Sequence, residues 1–276
     1  MALRHDLTAL VSQLSRPRYG RELYFAGTEL PDPQRVRVPT RHGRVRCLVY
    51  AGTRPGRYIH LHGGAFVTRY PQMDDFWARF VVATTGLEVV LPDYAVAPQA
   101  RFPVAHDQMF DVTSHYADTP LVIGGFSGGG NLAASVALRA RGLGLRGQLL
   151  GVPSLDVAED AREKVQSSPG GMIGTQLLTL VRETYFTDVA ARHDPVASPL
   201  LADDLTGTPP ALVVTGERDT LRREGDRYAA RLSEAGVPTE HVVAPGVDHY
   251  FLHGAGEAQA RDLMTRMAEW IGTAAE

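Results

Sequence analysis

Cysteine is almost missing from this chain of 276 residues: Cys47 stands alone, so no internal disulfide can form. It lies in the alternating run Arg44-Val45-Arg46-Cys47-Leu48-Val49-Tyr50, which makes it a packed strand thiol rather than a nucleophile. No apolar run is long enough to span a bilayer, and Met1-Ala2-Leu3-Arg4-His5-Asp6-Leu7 lacks the long uncharged stretch of a signal peptide. The expectation is a soluble, cytoplasmic protein with no membrane partner. Charge of one sign does not accumulate either: 28 Lys and Arg against 31 Asp and Glu leave a net −3, without basic or acidic blocks. That excludes the electrostatic footprint of a nucleic-acid binder and argues against a polyanionic substrate.

Repeats and low-complexity linkers are also absent, and 44% hydrophobic with 21% charged residues suits one sizeable domain over 1–276. Strand-like and helix-like stretches alternate, as a parallel sheet flanked by helices requires. Residues 35–38 and 45–50 read as an antiparallel hairpin at the sheet edge. Inner strands are expected at 57–61, 88–91, 121–125, 147–151, 211–215 and 240–243, and helices at 74–85, 104–116, 131–141, 221–235 and 257–271. Two pieces interrupt the alternation. Residues from Met1 to about Tyr24 read as an amphipathic helix with Leu7, Leu10, Val11 and Leu14 on one face, and 157–194 inserts a helix-like piece at 176–185. The last helix, 257–271, is expected to be exposed and able to pair in a homodimer.

The strongest motif is Gly125-Phe126-Ser127-Gly128-Gly129, after the apolar run Leu121-Val122-Ile123 and before a helix-like stretch. A strand, a G-x-S-x-G turn and a helix make a nucleophile elbow, which presents a serine Oγ and aims the first helical N–H groups at a developing oxyanion. Upstream, Tyr58-Ile59-His60-Leu61 runs into His62-Gly63-Gly64-Ala65-Phe66, a glycine loop able to complete an oxyanion hole. Downstream, a strand ends in Thr215-Gly216-Glu217-Arg218-Asp219, and His249 follows Pro245-Gly246-Val247-Asp248. The chain order Ser, Asp, His is that of an α/β-hydrolase.

On these residues the chain resembles the hormone-sensitive-lipase-like esterases. His62-Gly63-Gly64-Ala65 is similar to their oxyanion loop, and Asp93-Tyr94-Ala95-Val96-Ala97-Pro98 through Phe102-Pro103 to their Asp-Tyr-Arg-Leu-Ala-Pro block. Asp194-Pro195 with Ala197-Ser198-Pro199-Leu200, and Asp248-His249-Tyr250-Phe251, resemble the segments around the acid strand and the histidine. The likeness runs from about Val36 to Trp270. It implies an α/β-hydrolase fold with a mostly parallel sheet of about eight strands, and a small cap made from 1–34 and 157–194. Two departures stand out: Phe126 occupies the family's acidic place before the nucleophile, and Arg223 replaces an acid after the acid strand.

The expected chemistry is that of a serine carboxylesterase. Ser127 attacks the ester carbonyl, His249 is the base, and a carboxylate orients it. Asp219 is favoured over Glu217 and Glu224 because it aligns with the family aspartate; Asp248 adjoins the base, but neighbouring side chains diverge. Gly63, Gly64 and Gly128 should supply the oxyanion N–H groups. His60, His62, Asp93 and Asp107 read as structural. No cofactor is required: the 124–130 glycine loop lacks a P-loop lysine, no dinucleotide fingerprint fits, and no His-x-x-x-His pair falls on a helix to bind metal. The partner is then a small-molecule ester of small to medium size. The same triad would also serve an amide or formamide hydrolase, a lactonase or a thioesterase. A non-hydrolytic dehydratase or ligand receptor of this fold would usually lack a triad member, and here all three places are filled.

Overall fold

The structure is a computed structural model that describes residues 2–14 and 21–276. Eight strands form one sheet: β1 (Gln34–Thr40), β2 (Gly43–Tyr50), β3 (Arg57–Leu61), β4 (Glu88–Asp93), β5 (Leu121–Phe126), β6 (Gly147–Gly151), β7 (Ala211–Gly216) and β8 (Thr239–Ala244). Their order is β1-β2-β4-β3-β5-β6-β7-β8. Only β2 runs against its neighbours, β1 and β4; every other pair is parallel. The expected edge hairpin is present, with Thr40 opposite Gly43 at its turn. β5, β6 and β7 are buried along their whole length. Helices on both faces explain why these strands are runs of apolar residues rather than alternations.

Eight α-helices accompany the sheet among the described residues: α1 (Ala2–Ser12), α2 (Asp75–Thr85), α3 (Val104–His115), α4 (Gly128–Arg139), α5 (Ala161–Ser167), α6 (Thr175–Thr184), α7 (Arg222–Glu234) and α8 (Glu257–Ala274). One core lies under α3, α4 and α7, where Met109, Leu132 and Leu232 pack; the other lies under α2 and α8, around Trp77, Met264 and Ile271. α4 starts at Gly128, three residues earlier than its sequence suggests, because three successive glycines are poor helix formers and hide the first turn. α5 was not anticipated. Its start is marked by Asp160, whose carboxylate accepts from the N–H groups of Arg162 and Glu163.

Two expectations about surface helices change. α1 ends at Ser12, and the apolar face expected of it points outward: Leu7, Leu10, Val11 and Leu14 are exposed. It docks instead through buried Ala9, an Asp6–Arg101 ion pair, and Gln13, which donates to the Ala97 carbonyl. The part of the expected helix over 15–20 lies outside the described residues. α8 was expected to be an exposed pairing helix, but Leu263, Met264, Met267 and Ile271 are spent against the fold. Its outer face carries Arg261, Asp262, Arg266 and Glu269.

Several polar residues hold this frame. Asp93 pairs with Arg46 and Arg69, and Asp107 with Arg139 and His42, so both are structural as expected. His106 is fully buried between Asn131 Oδ1, 2.9 Å from Nε2, and the Tyr185 hydroxyl, 3.1 Å from Nδ1. Burial lowers its pKa from 6.5 to about 4. The unfolded chain therefore takes up a proton as pH falls below about 6.5 that the folded protein refuses until about 4. Stability contributed by neutral His106 is complete above that window and lost through it, amounting to roughly 3 kcal/mol at most. Denaturant unfolding of His106→Gln should show a lower stability at pH 7.5 but a shallower decline to pH 4.5 than the parent. An identical decline would assign the acid sensitivity to other groups.

Candidate active site

The elbow after β5 carries the serine. Ser127 has φ 56° and ψ −119°, a left-handed conformation that costs a non-glycine residue free energy and that the surroundings must hold. Its N–H donates to the Gly151 carbonyl at 2.9 Å, and its carbonyl accepts from Asn131 N–H at 3.1 Å. The turn is tight enough that a Cβ on Gly129 would fall 1.9 Å from the Leu61 carbonyl oxygen. Only glycine can stand there.

The loops after β7 and β8 deliver the other two groups. His249 Nε2 lies 2.8 Å from Ser127 Oγ, and its Nδ1 lies 3.0 Å from Asp219 Oδ2. Asp219 is buried, and its other oxygen accepts from Leu221 N–H. The rival carboxylates are engaged elsewhere. Glu217 accepts from Gly246 N–H, and Asp248 from the N–H groups of His249 and Met172. Glu224 is sealed in the interior, where it accepts from Leu155 N–H, Asp156 N–H and Lys164 Nζ. Burial pushes its carboxyl pKa up against those three donors.

The loop after β3 closes the third side. Gly63, Gly64 and Gly128 sit around Ser127, and among the described residues their N–H groups make no hydrogen bond. His62 Nδ1 donates to the Gly63 carbonyl at 2.6 Å, the Tyr94 hydroxyl donates to the His62 carbonyl at 2.6 Å, and the two rings stack at 4.3 Å. Burial lowers the His62 pKa, so it stays a neutral strut for the loop. Its structural reading holds.

Phe126 packs as an aromatic rather than hydrogen-bonding the loop. Its ring meets His60 edge-on at 4.6 Å, Phe251 at 5.3 Å and Trp77 at 5.9 Å. The contact is with the oxyanion strand and the histidine loop, not with the 157–194 segment. Arg223 is exposed, and the replacement of an acid there falls on the surface.

Ser127 opens on two cavities. One, of ≈ 40 Å³, is walled largely by apolar residues, among them Phe66, Val157, Ile173, Leu177 and Val181. The other, of ≈ 200 Å³, holds His249, Gly63 and Gly64. Ile173 and Leu177, from the inserted segment, line both. Sequence reasoning missed Lys164 and Asp74 here. Lys164 of α5 forms a buried ion pair with Glu224 at 2.7 Å, tying the inserted segment to the start of α7 beside Asp219. The capping pattern Asp160-Ala161-Arg162-Glu163 was the available signal for its helix.

A serine on a nucleophile elbow, with a histidine between it and a buried aspartate, defines the class: a hydrolase of the acyl-transfer type. The chain belongs to the α/β-hydrolase fold family, whose pattern matches residues 58–253, in its hormone-sensitive-lipase-like branch. It is 34% identical over 214 residues to an arylesterase of Saccharolobus solfataricus, covering 72% of this chain and 69% of that one. It is 32% identical over 208 residues to an ethyl acetate hydrolase of Pseudomonas putida, covering 70% and 65%. Among solved structures, an esterase of Pyrobaculum calidifontis superposes with a TM-score of 0.82 at 28% identity, over 99% of this chain and 92% of that one. A thermophilic carboxylesterase from a metagenomic library gives 0.83 at 26%, over 100% and 98%.

The Phe126 packing makes a stability prediction. Phe126→Asp should lower the melting temperature, because it removes an aromatic from a buried cluster and leaves an unpaired carboxylate there, together costing about 3 kcal/mol or more. An unchanged melting temperature with faster ester turnover would sink this account.

Proposed function

We propose that this carboxylesterase acts through Ser127, His249 and Asp219, with the N–H groups of Gly63, Gly64 and Gly128 as its oxyanion hole. The observation that carries the reading is the continuous chain Ser127 Oγ, His249, Asp219 at 2.8 and 3.0 Å. The serine hydroxyl is a poor nucleophile until its proton has somewhere to go. His249 Nε2 takes it as Oγ attacks the carbonyl carbon, while Asp219 holds Nδ1–H and stabilises the imidazolium. The carbonyl oxygen gains charge facing the three amides. Collapse of the tetrahedral intermediate expels the alcohol, which collects the proton from His249. Water then repeats the sequence on the acyl-enzyme and frees the acid.

The proton transfer assigns the cavities. The leaving oxygen must lie near His249, so the alcohol occupies the ≈ 200 Å³ cavity and the acyl group the ≈ 40 Å³ one. Short acyl chains fit the smaller cavity, in line with the ethyl acetate hydrolase among the relatives, and a bulky aromatic alcohol fits the larger, in line with the arylesterase. Residues 157–194 with α1 act as a cap, because Ile173 and α6 roof the serine and α1 packs on α6. We place the protein in the cytoplasm; among the described residues, no helix is long and apolar enough to cross a membrane. A homodimer through α8 would form across its charged outer face, and sedimentation at low and high salt would reveal it.

Ser127→Ala should abolish turnover of p-nitrophenyl acetate while leaving the melting temperature near that of the parent, and a fluorophosphonate should label Ser127 alone. Label on another serine would refute the assignment. Asp219→Asn should keep the fold and reduce turnover by orders of magnitude, about 10⁴-fold by analogy with a serine protease. Across p-nitrophenyl esters, kcat/KM should peak at acetate to butyrate and fall for octanoate and longer. A maximum at long chains would reverse the cavity assignment.

A further inference from the structure

The stretch 168–173 of the inserted segment borders all three triad residues. Ser168 and Gly170 line an outer cleft with Asp219, and Ile173 lines both cavities at Ser127, one of which holds His249. Two contacts fix its path. Gly171 lies against the acid loop: a Cβ there would fall 2.2 Å from Thr220 Oγ1, 2.9 Å from Thr220 N and 3.1 Å from the Arg218 carbonyl oxygen. Met172 donates its N–H to Asp248 Oδ2 at 2.8 Å, and Asp248 Oδ1 accepts from His249 N–H at 2.6 Å.

The second contact has no substitute nearby. Among the described residues, Met172 N–H to Asp248 is the one hydrogen bond made by the backbone of 169–173. Met172 is 53% exposed, so packing does not hold it in place. A hydrogen bond to a carboxylate is about twice as strong as one between neutral groups, which suits it to this task. One carboxylate therefore grips the backbone of the catalytic histidine with one oxygen and the backbone of the insertion with the other. The residue after Met172 is Ile173, whose β-branched side chain is stiff at χ1 and moves with its backbone. Asp248 itself lines neither cavity.

We propose that Asp248 is a positioning residue for acyl specificity: it ties the inserted segment to the histidine loop and thereby sets Ile173 as a wall that limits the acyl group. The proposal rests on the esterase reading and on the place of the acyl group in the smaller cavity. Asp248 touches neither substrate nor reacting atoms, so its effect on chain length passes through Ile173. Gly171 seats the same stretch from the acid side, where there is no room for a side chain. A wall held from two triad loops keeps its distance from Ser127 fixed.

The test is the ratio of kcat/KM for p-nitrophenyl acetate over p-nitrophenyl octanoate. In Asp248→Asn the side-chain oxygen can still accept from His249 N–H, but an amide NH2 group then meets Met172 N–H, and two donors cannot bond. The ratio should fall about tenfold, through a lower KM for the longer ester. Ile173→Ala should lower it likewise, and adding Asp248→Asn to Ile173→Ala should change it little more, because the wall through which Asp248 acts is gone. A merely structural loss would slow both esters alike and leave the ratio where it was. An unchanged ratio in folded Asp248→Asn overturns the proposal, as do effects of the two substitutions that simply multiply. Where Asp248→Asn does not fold, Gly171→Ala displaces the same stretch, and an unchanged ratio there overturns it equally. An inert parent enzyme defeats the esterase reading and this proposal together; an active parent whose ratio survives in the variants defeats this proposal alone.

Discussion

The approach of α4 to the end of β3 is the constraint on which the site depends. Gly129 lies so close to the Leu61 carbonyl, and Gly125 so close to the Gly129 backbone, that any side chain at either place would drive the helix from the sheet. That contact forces the chain through the left-handed conformation at Ser127 and brings the elbow under the Gly63–Gly64 loop, where a Cβ on Gly63 would stand 3.3 Å from the Phe126 carbonyl. Nucleophile and oxyanion donors are thus placed by one close packing of backbones. The parallel register of β3 and β5, with Leu61 opposite Gly125, is what lets the two turns meet. The strain is local; its restraint comes from the whole sheet.

Much of this was legible before any coordinates. The elbow, the glycine loop, Asp219 and His249 each follow a strand, and strands buried on both faces appear in sequence as short apolar runs ended by glycine or charge. Once a parallel sheet is granted, all four turns fall at the same edge, so linear order becomes proximity. The features that escaped are those that local sequence does not encode. Asp74 and His60 are 14 residues apart and meet across an element boundary; Lys164 and Glu224 are 60 apart and meet through the inserted segment. The inverted face of α1 is a different failure. Its Leu7, Leu10, Val11 and Leu14 have the spacing of a buried stripe, and periodicity records that a face is apolar without saying that anything covers it.

The two departures from the family pattern have different weight for the same reason. Arg223 changes a solvated side chain on the outside of α7, where neighbours are few. Phe126 sits between β3, α2 and the histidine loop, where every neighbour must accommodate it. An acidic residue at that place would have to be buried among those rings, where an unpaired carboxylate is costly.

The protein holds two buried aspartate–histidine pairs, and their chemistry differs by what the far nitrogen meets. His249 is held by Asp219 on Nδ1 and turns Nε2 to a serine hydroxyl beside an open space. His60 is held by Asp74 on Nε2, and its Nδ1 is filled by a tyrosine hydroxyl that has no substrate to attack. Tyr58 is fully buried, and burial pushes its pKa far above the usual phenol value, so it keeps its proton and His60 cannot act as a base toward it. The second pair has no reaction to run. The two pairs are separated by the partner of the free nitrogen: Ser127 faces open substrate space, whereas Tyr58 is closed off inside the core.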